Sequence, residues 1–329
     1  MPVAHTSPAV SKVARLVTAA AVLAGVACTA ALAPPALGQN AGRFAPGVLE
    51  IVPPELDPAD TVQTDSLVEI LAQPDFRWTP NHSAESRTLL GKAETIRFRR
   101  DIWCLEFAFK PMRMIEVDVP QPNGKMRRKL LWYLVYRVRN TGAGLSPSQA
   151  EDGTFTTAQK SPGELRFIPQ FVLVSHDEDA EGKPLGKEYL DRVVPTAYQP
   201  IENREFPGGV LQNSVGMANQ VLPIESGRAV GGEWGVAIWE DVDPRIDFFA
   251  VYVTGLTNAY RFENPEGAFQ PGDAPGTGRT FTRKALQLNF WRPGDDIDED
   301  EREIRFGAPL GRADAYSSDE GVAYRWVYR

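Results

Sequence analysis

Three short constellations in this 329-residue chain carry residue types that polar chemistry needs. Ser175-His176-Asp177 places a nucleophile, a base and an acid in consecutive positions. On an extended segment adjacent side chains point to opposite faces, so the three cannot form a relay, and the expectation is a turn at a strand end. No Gly-x-Ser-x-Gly elbow occurs. Asp177, Asp179, Glu181, Gly182 and Glu188 match the twelve-residue pattern of a calcium loop. In such a loop alternate carboxylates converge on one cation, the glycine permits the sharp turn and the last glutamate binds through both oxygens. Glu181 at the fifth position, Pro184 at the eighth and strand-like flanks weaken the match, so an acidic hairpin loop is expected. Trp239-Glu240-Asp241-x-Asp243 sets carboxylates beside an aromatic ring at a strand end, where a glycosidase pair could converge. Acidic turns after strands are common, and the bland reading leads.

Other chemistries lack their residues. Asp295–Glu301 is a second acidic run without a turn glycine, and it reads as a solvated, self-repelling loop. Beyond the first 38 residues the chain keeps one cysteine, Cys104, and two distant histidines, His82 and His176. That is too few for a structural zinc site, and no His-Glu-x-x-His helix exists. Cys104 has no adjacent activating cation or histidine and is expected to pack as a small apolar side chain. Gly208-Gly209 and Gly231-Gly232 lack the strand-to-helix context of a phosphate loop. No residue is therefore assigned as catalytic, cofactor-binding or metal-ligating, and no cofactor is expected.

The N-terminus sets the compartment. Lys12 and Arg15 precede an uncharged, alanine-rich run from Leu16 to Ala33, and Ala36-Leu37-Gly38 offers a small-x-small cleavage site ahead of Gln39. Residues 1–38 read as a signal peptide of an exported protein, periplasmic or extracellular. An uncleaved anchor and a lipid-modified Cys28 are the competing readings. Losing this segment takes the formal net charge from −8 to −10. An acidic chain is ill suited to general nucleic-acid binding. With one cysteine left there is no intramolecular disulfide, so stability must come from apolar burial and backbone pairing.

Residues 39–93 read as an extended, proline-rich leader with short helices over Leu67–Ala72, capped by Thr64-Asp65-Ser66, and Ser86–Ala93. From residue 94 to 329 the pattern is strands and turns. Trp103, Leu105, Phe107 and Phe109 alternate. Met114–Val119 and Leu130–Arg139 flank Asn123-Gly124, a strong hairpin signal. Leu130–Arg139 is apolar on both faces, as a central strand is. Phe167–Ser175, Tyr189–Val194, Gly235–Trp239, Phe248–Thr254, Ala285–Trp291 and Val322–Tyr328 follow, with 176–188 as the candidate boundary between two subdomains. Trp103 and Trp132 are expected in the core.

Tyr136-Arg137-Val138-Arg139-Asn140-Thr141-Gly142 resembles the strand-end corner of immunoglobulin-like sandwiches in secreted bacterial proteins. The chain as a whole resembles uncharacterised exported bacterial proteins. The resemblance implies a mainly-β, immunoglobulin-like sandwich with additional strands and no particular activity.

Residues 92–140 hold twelve Lys or Arg against five Asp or Glu. Arg97, Arg99 and Arg100 are expected to meet Arg137 and Arg139 at the open end of the first hairpin, with Lys125, Arg127, Arg128 and Lys129 nearer its turn. Solvated strand faces are the plainer and leading reading; the competing one is a basic hairpin that docks an anionic envelope polymer or an acidic face of a second copy. The leading functional reading is an exported, non-catalytic envelope or extracellular protein, structural or interaction-mediating. A carbohydrate-binding module, presenting coplanar surface rings from among Trp103, Trp132, Trp234, Trp239, Trp291 and Trp326, is the second. A hydrolase built on Glu240 and Asp243 is the third.

Overall fold

A strand that is apolar on both faces must be covered on both, and the segment around Leu130–Arg139 is. In the computed structural model, which describes residues 48–73, 84–178, 182–183, 185–225, 227, 231–293 and 302–329, this segment belongs to β7 (Met126–Arg139). It is central in a sheet ordered β1 (Glu50–Val52), β5 (Glu106–Phe109), β7, β12 (Glu233–Trp239), with β6 (Arg113–Pro120) also paired to β7. Trp132, Leu134, Tyr136 and Val138 point into the main core; Leu131, Tyr133 and Val135 point into a second cluster behind the sheet.

The second sheet repeats this plan. Its long strand is β15 (Thr280–Trp291), flanked on one side by β13 (Phe248–Thr254) and β14 (Tyr260–Glu263) and on the other by β16 (Arg305–Phe306) and β17 (Tyr324–Tyr328). β10 (Gln170–Ser175) and β11 (Glu188–Leu190) extend it beyond β13. The described residues of 176–188 thus connect two neighbouring strands of one sheet. Phe171, Leu173, Phe249, Val251, Leu286, Leu288 and Phe290 join the main core from this side. Strands take 41% of the chain and helices 15%, so the fold is mainly β, and its antiparallel sheets sharing one core are consistent with a β-sandwich.

Register explains how β5 and β6 share one edge of β7. Phe109 lies opposite Tyr136 and Arg113 opposite Tyr133, so three residues, Lys110 to Met112, face two on β7. This bulge, holding Pro111, flips the side-chain alternation. Phe107 and Phe109 before it, and Met112 and Met114 after it, all reach the main core, while Val117 and Val119 reach the opposite face. The Asn123-Gly124 hairpin joins β6 to β7 as expected, through a five-residue turn in which only Gly124 takes a positive φ, +75°.

Five features differ from the sequence reading. The leader is not separate from the body: β1 pairs with β5, Val52 is fully buried, and β2 (Val62–Asp65) pairs with β3 (Ile96–Arg99). Asp60 anchors it further, buried against the Lys284 ammonium at 3.5 Å and bonded by the Tyr328 hydroxyl. Proline density suggested a linker, but a three-residue edge strand needs little propensity once its side chain fills a core. The early helices are present as α1 (Val68–Leu71) and α2 (Ala84–Glu94), although Leu67, not the polar triplet, occupies the first cap. A third helix, α3 (Pro195–Glu205), holding Pro195 in its first turn and Pro200 inside it, lies where the sequence reading marks no helix. Pro195 is tolerated where the N–H has no helical partner, and Val194, Ala197 and Ile201 seal the second cluster. The alternating run from Trp103 to Phe109 is split into β4 (Ile102–Trp103) and β5, and β4 forms a small sheet with β8 (Gly144–Gln149) and β9 (Phe155–Gln159), two strands the sequence reading does not mark. Fifth, Trp132 is core but Trp103 is half-buried at that sheet's end. No helix among the described residues is long and apolar enough to cross a membrane. The signal segment, with Lys12, Arg15 and Cys28, lies outside the described residues.

Candidate functional site

The turn after β12 carries the chain from one large sheet to the other and holds the carboxylates that a hydrolase would use. Each is engaged with cations. Glu240 lies 2.5 Å from the Lys129 ammonium and 3.5 Å from Arg192. Asp241, whose φ of +59° is one that Asp tolerates, shares Lys129 at 2.9 Å. Asp243 accepts hydrogen bonds from Arg245 and from Lys187 at 2.7 Å. These bonds, Arg245's foremost, hold its carboxyl well below the usual range. Trp239 offers no platform here, being fully buried between the sheets. A general acid needs a carboxyl kept protonated near neutral pH, and Asp243 is driven the other way by the Arg245 and Lys187 cations beside it.

Asp243 also borders a polar cleft of about 590 Å³ with His176, Asp177, Lys187, Arg245, Arg312 and Asp314; Glu240 does not line it. Ser175 and Asp177 point the same way and bond at 2.8 Å, and His176 turns aside against the Tyr316 ring at 5.3 Å. Burial lowers the His176 pKa, and its Nε2 has no hydrogen-bond partner among the described residues. Asp177 is a structural clamp: its other oxygen accepts the Asp247 and Phe248 N–H groups at 3.2 and 3.0 Å. Glu188, the last position of the calcium-like pattern, pairs with Arg329 at 2.8 Å. Asp179, Glu181, Pro184 and the run Asp295–Glu301 lie outside the described residues. No group of three His, Cys, Asp or Glu is placed to hold a metal among the described residues. Burial pushes the Cys104 thiol up to about 12, which leaves it protonated.

The expected basic hairpin face is dispersed. Arg137 and Arg139 are buried and share Glu106 at 3.5 and 2.9 Å. Arg97 and Arg99 sit on β3, which pairs with β2 and not with β7, and both lie over the Phe155 ring. Lys129 is committed to Glu240 and Asp241, and Arg128 to Glu116. Net charge along a segment was legible; which charges meet was not, because the partners come from distant strands.

A different feature has the character of a binding site. At one end of the second large sheet, residues 166–170, the 254–260 connection and the start of β15 line a groove of about 660 Å³ beside β4. Ile168, Tyr260 and Phe281 are exposed there, at 68%, 38% and 59%. Arg166, Arg283 and Lys284 are the charged residues that line it, and no carboxylate does. The Lys284 ammonium is taken by Asp60 and Glu55. Arg166 donates to the Asn219 carbonyl at 2.8 Å. Arg283 has no acidic partner among the described residues.

The groove is set by side chains standing in for a sheet. The Thr257 hydroxyl donates to the Trp103 carbonyl at 2.6 Å, and Leu105 N–H reaches the Leu256 carbonyl at 2.8 Å. Gly255, at φ +90°, passes so close to Ile168 that a Cβ would lie 2.2 Å from its carbonyl oxygen. The tryptophans form no sugar platform: Trp132 and Trp239 are buried, and Trp103, Trp234, Trp291 and Trp326 are half-buried, Trp234 stacked on Phe206. The exposed rings are Tyr260 and Phe281, with centroids 5.9 Å apart. Sequence reasoning ranked tryptophans and acidic turns and missed this pair, whose signal was two aromatic residues near the ends of a polar Pro/Gly loop. Comparison with protein families, with characterised proteins and with solved structures finds no match to this chain.

Proposed function

We propose that this chain is an exported, non-catalytic envelope or extracellular protein that acts by interaction, built on an immunoglobulin-like sandwich with added strands and helices. The observation that carries the reading is the charge pairing of Glu240, Asp241 and Asp243. With those carboxylates neutralised, the surface feature most suited to a ligand is a groove without an acid. The fold reading draws on the Tyr136–Gly142 corner, where the Asn140 side chain accepts the Gly142 N–H at 3.0 Å and donates to the Gly163 and Leu222 carbonyls. Export rests on the N-terminal sequence.

Expression of the full chain in a bacterial host tests the proposal. The expected result is a protein beginning at Gln39, outside the cytoplasm, that co-sediments with isolated envelopes. A chain that keeps Met1 and stays in the cytosol would overturn export. A secreted chain that ignores envelopes would overturn the interaction reading.

A further inference from the structure

We propose that the groove between Ile168, Tyr260 and Phe281 binds an anionic glycan, a sugar polymer bearing carboxylate or sulfate groups; this deepens the interaction reading above and rests on it. Charge is the first argument. The chain has 43 acidic and 35 basic residues, yet the charged residues lining this groove are all cationic. Arg283 is exposed and has no acidic partner among the described residues, so its fork of donors is open to an oxyanion. Repulsion from the acidic remainder is screened beyond about 8 Å at physiological salt, so the local lining decides.

Shape and chemistry argue for a sugar. Phe281 exposes ring surface on which the C–H face of a pyranose packs; Tyr260 beside it is tilted by 53° and has one face covered by the Arg100 guanidinium, 3.9 Å from its centroid, and Gln170 is an exposed amide beside them for hydroxyl groups. The volume lies in the range of small-ligand sites. An extended acidic peptide would bind by adding a strand to an open edge. Here β14 and β13 are both paired along β15, β13 is also paired with β10, and the Lys284 N–H is taken by the Ala259 carbonyl. β13 therefore offers a peptide no open edge; β14 pairs with β15 alone, the Gln63 side chain takes its Phe262 carbonyl at 2.7 Å, and poly-glutamate tests that edge.

The test is affinity electrophoresis of the purified protein in gels containing polygalacturonate, dextran sulfate, neutral dextran or poly-glutamate, with Arg283→Ala and Phe281→Ala as variants. At least one anionic glycan should retard the protein, with dextran and poly-glutamate inert. The retarding polymer identifies the oxyanion. Each variant should weaken binding about 5- to 10-fold; Arg283→Ala should keep the wild-type thermal midpoint, since its side chain is exposed, and Phe281→Ala should lower it only slightly through the lost contact with Phe262. Retardation should fall as salt rises from about 50 to about 300 mM. Equal retardation by dextran or by poly-glutamate, indifference to both variants, or no retardation by either anionic glycan would overturn the assignment. A protein that sediments with envelopes yet ignores both anionic glycans would keep the interaction reading and lose this one.

Discussion

The Asn258 carboxamide holds Trp103 through its backbone. Its Oδ1 accepts the Trp103 N–H at 2.9 Å, and its Nδ2 donates to the Asp101 carbonyl, also at 2.9 Å. One side chain thus satisfies a donor and an acceptor that a neighbouring strand would otherwise pair, and it seats Trp103 against the groove. Asn258→Ala should lose about 1 kcal/mol, because the Trp103 N–H must then find water from a half-buried position while the Asp101 carbonyl is already exposed. The urea midpoint reads the loss, and tryptophan emission should shift to the red. An unchanged midpoint would mean that Thr257 alone holds the strand.

Gly255 and Gly124 separate two causes of a glycine requirement. Both have a positive φ, but a Cβ at Gly124 meets open space, whereas at Gly255 it meets the Ile168 carbonyl. Gly124→Ala should cost about 1–2 kcal/mol, the ordinary penalty of a left-handed residue. Gly255→Ala adds displacement of backbone that carries Ile168, so its thermal midpoint should fall further and glycan binding should weaken with it. Equal midpoints in the two variants would show that the connection relaxes freely.

The alternation of β7 and the Asn-Gly turn made the first sheet readable, because period-two burial and turn chemistry are local properties. The candidate site was not readable for the opposite reason. Ile168, Trp103, Tyr260 and Phe281 come from separate segments that only the fold assembles. The same limit dispersed the basic hairpin. Arg137 and Arg139 looked like surface charge because arginine on a strand usually is, but Glu106 on β5 takes both into the interior.

Glu106 therefore neutralises two buried guanidinium groups. Glu106→Gln removes the charge but keeps the volume, and so takes the shared carboxylate away from two buried guanidinium groups. Breaking a buried pair by removing one partner costs about 3–5 kcal/mol. The variant should lose an amount of that order in denaturant unfolding, and Glu106→Asp should recover part of it. A loss under about 1 kcal/mol would show that water reaches the pair, as it does in exposed bridges.

His176 should make stability depend on pH near neutrality. Burial lowers its folded pKa from an ordinary 6.5; Asp177 opposes that, and Arg325 and Arg329 reinforce it. The unfolded chain then binds a proton first as pH falls, so this stability is present above about 6.5 and is lost through and below that value. His176→Gln should flatten the unfolding midpoint between about pH 7 and 5 relative to the wild type. A steeper profile in the variant would reverse the sign.

Asp243 acts in a more acidic window. Arg245 and Lys187 hold its carboxyl well below its ordinary value of 3.8. A depressed folded pKa means that the contribution is complete above 3.8 and disappears as the carboxylate is protonated in the folded state. Asp243→Asn should therefore differ from wild type most near neutral pH and converge with it in strong acid. Arg245 and Lys187 are largely exposed, so the neutral-pH difference should be small and should shrink with added salt. If the difference instead grew as the pH fell, Asp243 would have to be protonated in the folded protein, and the acid chemistry set aside at this turn would return.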